Sequence, residues 1–129
     1  MLIIKKEIST INELLGELGI PSNIKGFAFL KYALTLIEEK GVDFYCTAIT
    51  KVLYPEIAKK FNSTSSRVER AIRNAIEIAW LRGNLELQKY IFRWSIDPEK
   101  GRPTNAEFIA TLGYYLREMK SSNEEVEVS

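Results

Sequence analysis

Residues 54–84 read YPEIAKKFNSTSSRVERAIRNAIEIAWLRGN, and this stretch contains two helical patterns separated by a tight polar turn. In the first part, Pro55 suits the first turn of a helix and apolar residues follow at helical spacing, which predicts a short helix over 54–61. In the second part, apolar residues recur every three or four positions until Gly83, which predicts a longer helix over 64–82. A short helix, a turn of about three residues and a longer helix together indicate a helix-turn-helix.

The longer helix has two different faces when its residues are placed about 100° apart. One arc is apolar and contains Val68, Ile72, Ala75, Ile76 and Ala79. The opposite arc is polar and contains Arg70, Arg73, Asn74 and Glu77, with Arg67 beside it. We therefore expect the first arc to enter the core and the second arc to face solvent.

The remaining sequence also predicts helices, because no run of six or more residues alternates between apolar and polar as a half-buried strand would. The predicted segments are 9–17, 22–40, 46–53, 84–92 and 105–119, with a polar loop over 94–102. The candidate helix starts are an N-cap at Ser9, an N-cap at any of Ser63 to Ser66, and an N-cap at Asn84. Capping boxes fit at Ser66-x-x-Glu69 and Thr104-x-x-Glu107. The predicted fold class is all-α, a compact bundle of about six helices that contains the helix-turn-helix.

A chain of 129 residues has the size of one domain. We expect a lead-in over 1–10, a helix-turn-helix effector domain over 11–119 and an acidic flexible tail over 120–129. No apolar run approaches the length of a membrane span, and no signal peptide is visible, so we expect a cytoplasmic protein with no membrane partner.

The composition argues against several kinds of chemistry. Histidine is absent and cysteine occurs once, as Cys46. Histidine-based catalytic triads, zinc sites built from cysteine and histidine clusters, and a disulfide framework within one chain are therefore excluded. Cys46 lies among apolar residues and is expected to be a buried thiol. No glycine-rich phosphate loop is present, and we expect neither an enzyme nor a protein that needs a cofactor or a metal.

Positive charge is concentrated in the middle of the sequence. Residues 59–102 contain ten Lys or Arg and five Asp or Glu, a net charge of +5, whereas the whole chain carries +1. This distribution indicates a local footprint for a polyanion. A solvated helix face would have the same composition, so both readings stay open on charge alone.

The polar arc of the longer helix carries the residue types that read DNA bases in a helix-turn-helix. Arg70 and Arg73 can each bond guanine O6 and N7 together, and Asn74 can pair similarly with adenine. Glu69 can accept from cytosine or orient a neighbouring arginine. The hydroxyls and free amides at the start of the helix suit phosphate oxygens, and the residues concerned are Ser63, Thr64, Ser65 and Ser66.

Three blocks of sequence carry a resemblance to a known family. They are GIPSNIKGFAFLKYAL at 19–34, ITKVLYPEIAKKFNSTSSRVERAIRNAIEIAWLRGN at 49–84 and PTNAEFIATL at 103–112. Together they resemble the C-terminal effector domain of the master response regulator that starts sporulation, the stage-zero sporulation regulator A family. The resemblance covers about residues 11–119.

The resemblance implies a six-helix domain that binds double-stranded DNA at a short box close to TGTCGAA, often with two domains in tandem. It places Glu69, Arg70 and Arg73 at base edges. It makes Arg67 a candidate phosphate contact. Asn74 stands where the family generally has histidine, so base preference at that position is expected to differ.

The resemblance also implies a surface for the RNA polymerase sigma subunit in the segment 83–96, GNLELQKYIFRWSI, which matches the family less well than the flanking blocks. The candidate contacts in this segment are Asn84, Glu86, Lys89, Tyr90 and Arg93. Family members carry a receiver domain ahead of the effector domain, whereas this sequence reaches the effector pattern within about ten residues. We expect either an excised domain or a free-standing relative, and the ordinary residues Met1 to Ile4 favour the second. The alternative function is an interaction module that modulates the full-length regulator or the polymerase without reading DNA.

Overall fold

The computed structural model describes residues 10–40, 49–92 and 101–128, with side chains described as far as residue 120. Within these ranges the chain forms six α-helices and no strand. They are α1 Ile11–Leu18, α2 Lys25–Lys40, α3 Ile49–Lys60, α4 Ser65–Arg82, α5 Leu85–Phe92 and α6 Asn105–Val128. The predicted all-α bundle is confirmed. None of the described helices is long and apolar enough to cross a membrane.

Helix α4 lies at the centre of the bundle and packs against α2, α3 and α6. The five residues of its predicted apolar arc are all buried, each with at most 1% of its surface exposed. Beside them, the ring of Phe92 from α5 stacks on the ring of Phe108 from α6, with centroids 5.4 Å apart, and Trp80 meets both rings edge-on. Because each fully buried large apolar side chain contributes about 1.5–3 kcal/mol, the polar arc of α4 stands on a well-anchored helix.

The helix starts follow the capping rules. The cap predicted at Ser9 and the capping box predicted at Ser66 are wrong, whereas a cap of α4 among Ser63 to Ser66 is confirmed. Thr10 caps α1, not Ser9, because its hydroxyl accepts from the N–H of Glu13. Thr64 caps α4, and the capping box predicted at Ser66 does not form because Ser66 is already inside the helix. Thr10 and Thr64 both have the extended backbone that an N-cap residue adopts.

The two other predicted caps are confirmed. The Asn84 side chain accepts from the N–H of Leu87 at 3.1 Å and so caps α5. At the start of α6, the Thr104 hydroxyl accepts from the N–H of Glu107 at 3.1 Å, and the Glu107 carboxylate accepts from the N–H of Thr104 at 2.8 Å. This reciprocal pair is a complete capping box.

Helix α3 differs from the prediction of a separate segment over 46–53 and a new helix beginning at 54. One continuous helix runs Ile49–Lys60 and includes Pro55. Proline removes the N–H that would bond the carbonyl of Lys51, and it normally ends a helix. Here Lys51 and Pro55 are both exposed, so water can hydrate the carbonyl and the helix continues. Cys46 lies in 41–48, outside the described residues.

The last helix is longer than expected. It was predicted to end near Met119 and continues to Val128. The polar loop predicted over 94–102 falls almost entirely outside the described residues. The flexible character expected of the tail over 120–129 stays a prediction.

Candidate nucleic-acid interface

The turn between α3 and α4 is built by a left-handed residue at the end of α3. Asn62 has φ of 54°, the N–H of Ser63 bonds the carbonyl of Ala58 at 2.8 Å, and the N–H of Asn62 reaches the carbonyl of Lys59 at 3.4 Å. These two bonds form a Schellman motif, and asparagine tolerates its left-handed position better than most residues. The arrangement of α3, this turn and α4 is consistent with the predicted helix-turn-helix.

The polar arc of α4 contains two different kinds of arginine. The guanidinium of Arg73 lies 2.8 Å from a carboxylate oxygen of Glu69, one turn earlier, so these two predicted base contacts form an ion pair. The guanidinium of Arg102 similarly pairs with Glu77 at 3.0 Å. Arg67 and Arg70 are exposed and have no acidic partner among the described residues. Both acids of this face are therefore already engaged, and two cations remain available to an anion.

The start of α4 is suited to an anion as well. Ser65 and Ser66 are exposed, and the first turn of the helix contains no acidic residue. The Thr64 hydroxyl accepts from the N–H of Arg67 at 3.2 Å, which leaves its own proton free to be donated. Ser63 is half-buried in the turn. The positive end of the helix dipole and these hydroxyls all favour a phosphate at this position.

An open groove of about 620 Å³ runs beside α4. Its walls come from the start of α2, the α3–α4 turn and the exposed side of α4, and the residues are Lys25, Ala28, Phe29, Phe61, Asn62, Ser63, Arg67, Arg70, Ala71 and Asn74. It brings together the predicted base contacts Arg70 and Asn74 and the predicted phosphate contacts Ser63 and Arg67. Glu69 and Arg73 do not line it.

Lys25 is a groove residue that the sequence analysis missed. It reaches the groove because α2 and α4 cross closely at Gly26, where an added Cβ would lie 2.4 Å from the Ala71 carbonyl oxygen and 2.7 Å from the Ala75 Cβ. Only glycine fits at such a distance. The sequence does show a glycine, Gly26, at the start of α2, and a glycine there can indicate a close helix crossing. The sequence does not show which helix crosses α2 at this point.

Asn105 connects α6 to both helices of the α3–α4 pair. Its amide nitrogen donates to the Tyr54 hydroxyl at 2.9 Å and to the backbone carbonyl of Glu69 at 3.0 Å. Burial raises the pKa of Tyr54 above its ordinary value of 10.0, so the hydroxyl stays protonated near neutral pH. The sequence gives no sign of this role, since the two partners of Asn105 lie 51 and 36 residues away.

The segment predicted to contact the polymerase follows the C-terminal end of α4. Glu86, Lys89 and Tyr90 are exposed, whereas Asn84 is half-buried at the start of α5. Arg93 lies outside the described residues. Two leucines that the sequence analysis did not single out are strongly exposed here, Leu81 at 82% and Leu85 at 59%.

Gln88 anchors this side of the domain. It is only 3% exposed, and its amide nitrogen donates to the carbonyl of Leu18 at 3.2 Å and to that of Ala79 at 2.8 Å. It therefore ties α5 to the ends of α1 and α4. Among the described residues, no three Cys, Asp or Glu side chains come together as a metal site would require.

A comparison with protein families supports the resemblance carried by the three sequence blocks. The family model described as Sporulation initiation factor Spo0A C terminal matches residues 11–116. The match begins at the first residue of α1 and contains α2, α3, α4, the turn between α3 and α4, and α5. The chain therefore belongs to the family of the Spo0A C-terminal domain, the DNA-binding effector domain of the sporulation regulator.

Proposed function

We propose that this protein is a sequence-specific transcription regulator that places α4 in the major groove of a short box close to TGTCGAA. The observation that carries the proposal is the exposed polar arc of α4, which follows a hydroxyl-rich turn in a domain of a DNA-binding family. The family is that of a regulator domain and not of an enzyme. Acting on DNA, the protein would work in the cytoplasm.

The base contacts have distinct tasks in this proposal. Arg70 is free to form a bidentate pair with guanine. Arg73 is held by Glu69, and this pair acts as one unit in which the carboxylate fixes the direction of the guanidinium. Asn74 would bond an adenine or a neighbouring phosphate.

The phosphate contacts lie at the start of α4 and fix its register on the duplex. The hydroxyls of Ser63, Thr64, Ser65 and Ser66 would donate to phosphate oxygens, and Arg67 would add a charge. These contacts contribute affinity that falls with salt, whereas the base contacts contribute the choice of sequence.

Alanine variants separate these two roles. Arg70→Ala and Arg73→Ala are each expected to cost about 1–3 kcal/mol on the box duplex and to relax base choice. Arg67→Ala is expected to weaken binding to the box and to a scrambled duplex equally and to reduce the salt slope by about one. Arg82→Ala is the matched control, because Arg82 is an exposed arginine at the far end of the same helix. Fluorescence-anisotropy titrations at several salt concentrations give all of these values.

Two results would count against the proposal. If Arg70→Ala and Arg73→Ala lost the same factor on both duplexes, they would be phosphate contacts and α4 would not read bases. If neither differed from Arg82→Ala, the polar arc would be a solvated face. The alternative function, an interaction module that modulates the regulator or polymerase without reading DNA, would then be favoured.

We also propose that the segment 83–96 contacts the RNA polymerase sigma subunit. The support is the exposed apolar surface of Leu81 and Leu85 beside Lys89 and Tyr90. Leu85→Ser should lower transcription in vitro from a promoter that carries the box without changing affinity for the box. Tyr114→Ser, at an exposed apolar residue on α6, should change neither value. Tandem binding of two domains would appear as cooperative binding to a duplex with two boxes.

A further inference from the structure

We propose that the groove between α2 and α4 binds the DNA phosphate backbone beside the box, with Lys25 as a contact from outside the helix-turn-helix. This inference rests on the proposed function, because it needs α4 in a DNA groove. It adds a binding residue that neither the sequence motif nor the family match assigns.

The groove contains only positive charge. Lys25, Arg67 and Arg70 line it, and none of its lining residues is acidic. None of these three cations has an acidic partner among the described residues, whereas Arg73 and Arg102 are both paired with glutamates. Like charges gathered in one concave surface repel each other and focus a positive potential, so a polyanion is the ligand this surface favours.

The backbone of Lys25 belongs to a helix and not to a flexible loop, which fixes its place beside the groove. It is the first residue of α2, whose first turn contains no acidic residue. The adjacent Gly26 fixes how closely α2 approaches α4. The backbone of Lys25 is therefore already ordered beside the polar arc. Binding costs less backbone entropy than it would for a lysine on a flexible loop.

The position of the groove favours the DNA backbone over other polyanions as its ligand. Arg70 and Asn74 form one wall of the groove, so an α4 bound in a major groove would have the flanking strand along this side. Phe61 forms part of its wall and is 38% exposed, and its ring packs edge-on against Phe29 with centroids 5.2 Å apart. Such an apolar wall beside cations suits a sugar-phosphate chain, which alternates apolar deoxyribose with charged phosphate.

The first test compares Lys25→Gln with Lys31→Gln, a second exposed lysine of α2 that does not line the groove. Affinities for the box duplex and for a scrambled duplex are measured by anisotropy over a range of salt. Lys25→Gln should reduce the salt slope by about one and lower affinity for both duplexes roughly tenfold at 0.1 M salt. Lys31→Gln should match the wild type. Equal behaviour of the two variants would overturn the inference.

The second test locates the contact. Phosphates flanking the box are replaced one at a time by uncharged methylphosphonates. The wild type should lose affinity at one or two positions, and Lys25→Gln should lose nothing further there. If both proteins lost the same factor at every position, Lys25 would not touch the backbone.

The outcomes also separate this inference from the proposed function. A wild type that prefers the box, combined with an unchanged salt slope for Lys25→Gln, would remove only Lys25 from the interface. A wild type with no preference for the box would remove the reading of bases by α4. If Lys25→Gln left DNA binding unchanged but weakened binding of a polyglutamate peptide, the groove would belong to an acidic protein partner and the inference would be overturned.

Discussion

The crossing of α2 and α4 can be tested at Gly26, because the structure gives opposite expectations for two helical glycines. An alanine Cβ at Gly26 would lie 2.4 Å from the carbonyl oxygen of Ala71, a backbone atom that cannot move aside. Overpacking of this kind typically costs about 1–3 kcal/mol. Alanine regains about 0.5–1 kcal/mol of helix propensity. From the middle of each range, Gly26→Ala should therefore lower the free energy of unfolding by about 1 kcal/mol.

The matched control is Gly16→Ala. Gly16 lies in α1, and an added Cβ there would meet nothing within 4 Å. The same substitution should then stabilise the protein by about 0.4–1 kcal/mol, because only the lost freedom of the unfolded chain counts. Urea unfolding followed by circular dichroism measures both changes. If both variants shifted stability in the same direction, the helices would not cross at this distance and Lys25 would lose its fixed position.

Three further predictions follow from other parts of the structure. Thr64→Ala removes the cap of α4 and should lower the free energy of unfolding by about 1 kcal/mol. Ser66→Ala should change it by less than about 0.5 kcal/mol. Equal losses in urea unfolding would mean that the cap is misassigned. Ile72→Asp buries a charge at the centre of the apolar arc and should abolish the cooperative thermal melt, and an unchanged melt would show that the helix phase is wrong. Gln88→Ala leaves the buried Leu18 carbonyl without its donor, whereas the Ala79 carbonyl keeps the N–H of Gly83. The variant should cost about 1–3 kcal/mol in urea unfolding, so a loss below about 0.5 kcal/mol would contradict the anchoring role.

Features that depend on neighbours three or four positions apart could be predicted from the sequence. The two arcs of α4 and the capping box at Thr104 and Glu107 are of this kind, and the structure confirms both. The choice between Thr64 and Ser66 as the cap could not be made, because both side chains supply the same hydroxyl. The continuation of α3 through Pro55 was not predicted either, because proline normally ends a helix and the exposure of Lys51 and Pro55 is set by the packing of the whole domain.

Features that depend on packing between distant parts of the chain were not predictable. Lys25 reaches the groove only because α2 crosses α4 at Gly26. Asn105 supports α4 by donating to the Tyr54 hydroxyl on α3 and to the Glu69 carbonyl on α4, and both partners are distant in the sequence. The specific tasks of Arg70 and Arg73 at base edges stay predictions.

An anisotropy titration of the unaltered protein decides whether α4 reads bases. The protein is titrated against a duplex carrying TGTCGAA and against a scrambled duplex, at low and at high salt. We expect a large preference for the box that survives at high salt, because base contacts release few counterions. Weak, equal and strongly salt-dependent binding to both duplexes would contradict it, since only the basic surface would then be acting.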